Sequence, residues 1–109
     1  MKAKFKLWLD NEGKVFGKGP LVILQEVEKT GSLSEAAKTI GMSYNKAHSL
    51  IKSIEKRLDT KLLIKKIGGA NGGSSTLTEE ARKIMDSYSK FEKECEESIN
   101  ILFEKHFKN

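Results

Sequence analysis

The spacing of small residues between Ala36 and Ala47 constrains this chain more than any other feature. Gly41 lies four residues after Ala37, Ala47 six residues after Gly41, and Leu50 three residues further on. Two helices that cross at a steep angle need small side chains where they touch, and a tight turn between them needs a residue that accepts positive φ. Ala36 and Ala37 meet the first need and Gly41 the second. Ile40 and Met42 fill the space between, while Ala47 and Leu50 face back toward a core. The spacing predicts a helix–turn–helix, a unit that presents the outer face of its second helix to a DNA major groove.

The helix-end signals agree with this frame. Ser32-Leu33-Ser34-Glu35 is a capping box, in which Ser32 accepts from the backbone of Glu35 and the Glu35 side chain reaches back. It opens a short helix over about 33–40. Ser43 caps the next helix, over about 44–58, whose apolar stripe is Ala47, Leu50, Ile51, Ile54 and Leu58. Tyr44, Asn45, Lys46, His48, Ser49 and Lys52 avoid that stripe and cluster in the first turns, the part of a recognition helix that reaches base edges. Tyr44, Asn45, Lys46 and His48 are therefore expected to contact bases. Asn45 suits an adenine edge and Lys46 a guanine. Ser34, Ser43, Ser49 and Lys52 suit the phosphate backbone.

The flanking segments complete a small α/β frame. Residues 3–9 alternate, with Phe5, Leu7 and Leu9 on one side and Lys4, Lys6 and Trp8 on the other, which predicts a strand with one wet face. Asp10-Asn11-Glu12-Gly13 carries turn chemistry, and Lys14–Gly17 returns to close a hairpin. Gly19-Pro20 opens a helix that buries Leu21, Leu24 and Val27 and ends at Gly31. Lys61–Ile67 and Ser74–Leu77 read as two strands around the loop Gly68-Gly69-Ala70-Asn71-Gly72-Gly73. This second hairpin fits a wing that lays Lys65, Lys66 and Asn71 along the phosphates.

Thr78 caps a last helix, with Glu79 and Glu80 in its first turn, where acids suit the macrodipole. It contains no glycine or proline before about Phe107. Ala81, Ile84, Tyr88, Phe91 and Cys95 follow a seven-residue repeat, and Ile99, Leu102 and Phe103 extend the stripe. A helix of this length reaches roughly 40 Å, more than the preceding domain can cover. Ala81, Ile84, Tyr88, Phe91, Cys95, Ile99 and Leu102 are therefore expected to form the interface of a homodimer.

Charge follows the same division. Residues 1–75 hold 14 Lys/Arg and 7 Asp/Glu, a net +7, whereas residues 76–109 hold 6 and 8, a net −2. A basic body with a mildly acidic tail fits a polyanion-binding surface joined to a different element. The chain has no apolar run long enough for a bilayer and no secretory leader, and its one cysteine, Cys95, builds no disulfide framework. A cytoplasmic setting without membrane association is the expectation. Gly13-Lys14-Val15-Phe16-Gly17-Lys18 is one residue short of a phosphate loop, and Gly19 stands where Ser or Thr would hold magnesium. His48 and His106 have no sequence partner for a triad or metal pair, and Glu92, Glu94, Glu96 and Glu97 read as a solvated helix face. No catalytic residue, metal or cofactor is expected.

Thr30-Gly31-Ser32-Leu33-Ser34-Glu35-Ala36-Ala37 and Ile40-Gly41-Met42-Ser43 resemble the winged helix–turn–helix of LysR-type regulators. Ser43-Tyr44, the double-glycine loop and Leu77-Thr78 are similar to the N-terminal domain of the ModE family of molybdate-responsive transcriptional regulators. The resemblance covers about residues 3–105. Ala81 departs from it, standing where the family often has glycine. The resemblance implies a homodimeric DNA-binding repressor or activator in which residues 43–52 read DNA and the last helix helps to dimerise. It also implies that molybdate binds a separate C-terminal domain; the chain ends before such a domain, and molybdate binding is not expected of it.

The expected fold is mainly α with a small β wing: a winged helix–turn–helix with an N-terminal β-hairpin and a long C-terminal dimerisation helix. Residues 1–77 form the DNA-binding domain and residues 78–109 the dimerisation element. The expected function is a sequence-specific transcriptional regulator that binds double-stranded DNA as a homodimer. The alternative is a winged-helix adaptor that binds protein rather than DNA; it would lose little binding on the double change Lys46→Ala and Lys52→Ala.

Overall fold

The computed structural model describes residues 1–66 and 74–107. Its elements run β1 (Trp8–Asp10), β2 (Lys14–Gly17), α1 (Lys18–Thr30), α2 (Leu33–Thr39), α3 (Tyr44–Leu58), β3 (Leu63–Lys66), β4 (Ser74–Leu77) and α4 (Glu79–Phe107). The two antiparallel hairpins, β1–β2 and β3–β4, form separate two-stranded sheets. The architecture is the expected mainly α winged helix–turn–helix.

Helix ends form where the sequence places them. Gly31 closes α1 in the left-handed conformation (φ 73°), and its N–H donates to the Val27 carbonyl. The Ser32 hydroxyl accepts from Glu35 N–H, and the Ser43 hydroxyl from Lys46 N–H, each at 3.1 Å. Only half of the expected capping box forms. The Ser32 N–H is taken by the Thr30 hydroxyl at 3.3 Å, not by the Glu35 carboxylate. Gly41 adopts φ 73° in the turn between α2 and α3.

The first strand is shorter than its alternation predicts. Trp8 pairs with Gly17, Leu9 with Phe16 and Asp10 with Lys14, with a register shift after Leu9. Residues before Trp8 have no ladder partner because the chain enters α1 immediately after Gly17. The alternation in burial survives: Phe5, Leu7 and Leu9 are half-buried, and Lys4, Lys6 and Trp8 are exposed. The Leu7 carbonyl accepts from the Tyr88 hydroxyl at 2.7 Å, which ties this segment to α4.

The core is continuous across both hairpins and all four helices. Phe16, Ile23, Leu24, Val27, Leu33, Ile51, Ile54, Leu62 and Leu77 are buried in it. Ala36, Ala37 and Ala47 are at most 1% exposed, as a close helix crossing requires. The wing is fastened to this body by backbone: Ser75 N–H donates to the Gly31 carbonyl at 2.8 Å, and Thr78 N–H to that of Leu62 at 3.0 Å.

Helix α4 breaks the compact outline. Its first turns join the core through Ala81, Ile84, Met85 and Tyr88; beyond Tyr88 no described residue of the helix belongs to that cluster. The molecule measures 62 × 27 × 21 Å, with a radius of gyration of 16.7 Å. A compact chain of this length has a radius of about 13 Å.

The expected dimer interface is corrected at its N-terminal end. Ala81 is 0% and Tyr88 1% exposed, so both are consumed by the chain's own core, and Ile84 packs against that core. The heptad runs on from these residues because the stripe that buries the first turns and the stripe left open are one stripe. The open part begins at Phe91, which is 48% exposed, and continues through Cys95, Ile99 and Leu102.

Candidate nucleic-acid interface

The outer face of α3 carries the donors expected there. Asn45, Lys46, Ser49 and Lys52 are exposed. Steps of four and three residues line up Asn45, Ser49, Lys52 and Lys56 along one face, so Lys56 extends the row by another turn. Lys56 lies beyond the first turns to which the sequence reading is confined; its spacing from Lys52 is the signal that puts it on the same face. Ser34 is exposed in the first turn of α2, and Ser43 at the cap of α3.

Tyr44 and His48 stand differently from the others. Both are half-buried on the flank of α3 that faces β3, with their rings stacked at 5.6 Å. Lys65 Nζ donates to the Tyr44 hydroxyl and lies 5.2 Å from the Tyr44 ring centroid. Tyr44 therefore bridges the recognition helix to the wing, and its hydroxyl is already engaged. Lys65 and Lys66 are exposed on β3, on the wing as expected. Asn71 lies outside the described residues.

A buried acid organises the junction. The Glu55 carboxylate Oε2 accepts from Leu62 N–H at 2.7 Å and from Leu63 N–H at 3.2 Å, where the chain leaves α3 for the wing. Its Oε1 lies 3.3 Å from Lys52 Nζ. Burial works to raise the Glu55 pKa; the two backbone donors and the Lys52 ammonium outweigh it and hold the carboxyl below its ordinary value. Sequence reading missed Glu55. The available signal was a carboxylate four residues after Ile51 and adjacent to Ile54, inside an otherwise apolar stripe.

The other end of α3 is braced by the N-terminal hairpin. Arg57 donates to the Lys14 carbonyl at 2.8 Å and packs over Gly13, where a Cβ would meet its guanidinium. Thus the recognition helix is held at three places: by Tyr44 at its start, by Glu55 near its end, and by Arg57 in its last turn. This is a rigid presentation of an exposed polar row, suited to a groove of fixed width.

Among the described residues no cluster of three or more His, Cys, Asp or Glu side chains is placed to hold a metal ion. No described helix is long and apolar enough to cross a membrane.

Comparison with known proteins agrees with this geometry. The profile of the bacterial regulatory helix-turn-helix proteins of the lysR family matches residues 20–82. Transcriptional regulator ModE of Haemophilus influenzae is 32% identical over 80 residues, which is 73% of this chain and 31% of that protein. The DNA-binding transcriptional dual regulator ModE of Escherichia coli K12 is 25% identical over 103 residues, covering 94% of this chain and 39% of that protein. The chain thus spans about a third of the length of these relatives. Among solved structures, ArgP from Mycobacterium tuberculosis superposes with a TM-score of 0.51 at 18% identity, over 72% of this chain and 28% of that one, a likeness of fold. The chain belongs to the lysR family of bacterial regulatory helix-turn-helix proteins and carries a ModE-like DNA-binding domain.

Proposed function

We propose that this chain regulates transcription by reading a specific DNA sequence as a homodimer, with α3 in the major groove and the β3–β4 wing along the backbone. The observation that carries the reading is the exposed row on α3, Asn45, Lys46 and Ser49, set beside Lys65 and Lys66 of a wing that Tyr44 and Glu55 fasten to the same helix. Asn45 and Lys46 read base edges; Ser34, Ser43, Ser49, Lys65 and Lys66 hold the backbone. His48 reaches the groove from the wing side. Tyr44 acts chiefly through Lys65.

Residues 1–77 supply the DNA-reading unit, and residues 78–109 supply the helix that pairs two subunits. Phe91, Cys95, Ile99 and Leu102 support pairing because they form an apolar stripe that the protomer leaves uncovered. The pairing sets two recognition helices on successive major grooves, about 34 Å apart.

Fluorescence anisotropy with a labelled duplex tests DNA binding. Affinity is expected to fall steeply between about 50 and 200 mM salt as phosphate contacts exchange for counterions. Lys46→Ala weakens binding, and Asn45→Ala costs about 1–3 kcal/mol of discrimination against a wrong base. Equal losses on preferred and random duplexes would remove Asn45 from the base-reading set. Binding indifferent to salt would remove the function.

A further inference from the structure

DNA reading leaves Glu55 unused. Among the described residues the buried polar side chains are Glu55, Ser75 and Thr78, and Glu55 alone is charged. An acid beside a polyanion-binding face is electrostatically adverse, so its arrangement calls for a physical account. Its two oxygens are engaged differently. Oε2 accepts both backbone N–H groups at the base of the wing. Oε1 is sealed from solvent and has the Lys52 ammonium at 3.3 Å.

Lys52 belongs to the outer row of α3, and its side chain is 52% exposed. It is therefore placed to meet a phosphate and at the same time neutralised from behind. The two residues line a cavity of about 60 Å³ between α3 and the wing, together with His48, Leu63 and Lys65. Lys65 is drawn to the Tyr44 hydroxyl in the same region, so the cation left against the carboxylate is Lys52.

We propose that Glu55 sets the strength of the DNA interface through separate oxygens: Oε2 fixes the wing to the recognition helix, and Oε1 holds Lys52 back from the phosphate backbone. The inference rests on the DNA-binding reading above. Phosphate contacts carry no sequence information, so withholding one cation lowers affinity for preferred and random duplexes alike and leaves their ratio to the base contacts. Glu55 acts here as a positioning residue and touches no base or phosphate itself.

The test is the slope of log affinity against log salt for the intact chain on a duplex of mixed sequence. Glu55→Gln keeps an oxygen acceptor for the Leu62 and Leu63 N–H groups and removes the charge. It is expected to steepen the slope by about 0.9, one phosphate contact, which widens the affinity ratio between about 50 and 200 mM salt roughly 3.5-fold. The double variant Glu55→Gln/Lys52→Ala returns to the wild-type slope, and Lys52→Ala alone leaves that slope unchanged. Amide exchange at Leu62 and Leu63 stays protected in Glu55→Gln and is lost in Glu55→Ala. An unchanged slope in Glu55→Gln overturns the inference while DNA binding stands. So does a slope reduced by about 0.9 in Lys52→Ala alone, which needs no change at the buried position. A wild type that binds no duplex overturns both readings.

Discussion

Tyr88 is where the long helix, the N-terminal segment and β2 meet, and its hydroxyl can be removed without disturbing its ring. The side chain is 1% exposed, and its ring meets Phe16 edge-to-face, with centroids 5.4 Å apart at 68°. The hydroxyl donates to the Leu7 carbonyl at 2.7 Å across 81 positions of sequence. Tyr88→Phe keeps the ring contact and leaves the Leu7 carbonyl without that donor, a loss of about 1–2 kcal/mol. In a domain of this size each kcal/mol lowers the thermal midpoint by about 4–8 °C. Urea unfolding followed by circular dichroism should show an earlier midpoint at an unchanged slope, because the surface exposed on unfolding is the same. Tyr88→Ala removes the ring as well and costs about 3–5 kcal/mol, a large share of the stability of a small domain. A spectroscopic check is independent of stability. Burial, with the Glu92 carboxylate beside it, pushes the Tyr88 hydroxyl above its ordinary 10.0. The folded protein should therefore show a phenolate absorbance step above that pH that Tyr88→Phe abolishes. A Tyr88→Phe variant with an unchanged urea midpoint and an unchanged high-pH step would refute the role given to this contact.

Other outcomes follow from the same geometry. Phe91→Glu should shift the mass measured by light scattering from twice 12.2 kDa toward 12.2 kDa while leaving the thermal midpoint of the protomer near its original value, since Phe91 is 48% exposed; a wild type already monomeric at micromolar concentration would remove the interface. Ala36→Leu should cost about 1–3 kcal/mol by overpacking a helix crossing with no exposed surface, read as an earlier urea midpoint. Glu55 has a depressed folded pKa, so its contribution is complete above the ordinary carboxylate value and is lost as pH falls through the folded value. Stability measured across acid pH should fall less steeply in Glu55→Gln, and an identical acid limb would contradict a buried carboxylate held charged by its backbone donors and Lys52.

The helix–turn–helix was legible because each of its constraints falls on a residue type. Small residues at Ala36, Ala37 and Ala47 and the left-handed turn at Gly41 admit few alternatives, and α3 and β4 begin and end where sequence places them. The extent of β1 was not legible. Alternation reports which face is wet, whereas a ladder needs a partner strand, and β2 has only four residues to offer. The extent of α4 was legible, but not where its own domain stops covering it. A heptad records a continuous apolar stripe and cannot say how much of it the chain's own core buries; that burial ends between Tyr88 and Phe91. The contacts that aim the interface were the least legible. The Tyr44–Lys65 bond spans 21 positions and the Arg57–Lys14 bond 43, and no local pattern encodes either.

Selection of bound sequences from a pool of random duplexes asks at once whether α3 reads sequence and whether two copies of it act together. Enrichment of a two-fold symmetric site is expected, with half-sites centred about 34 Å apart and each read by one α3. Asn45→Ala should relax the preference within each half-site and leave their separation intact. A bound pool indistinguishable from the starting pool would contradict sequence-specific reading by this helix, and a single unrepeated site would contradict the paired arrangement.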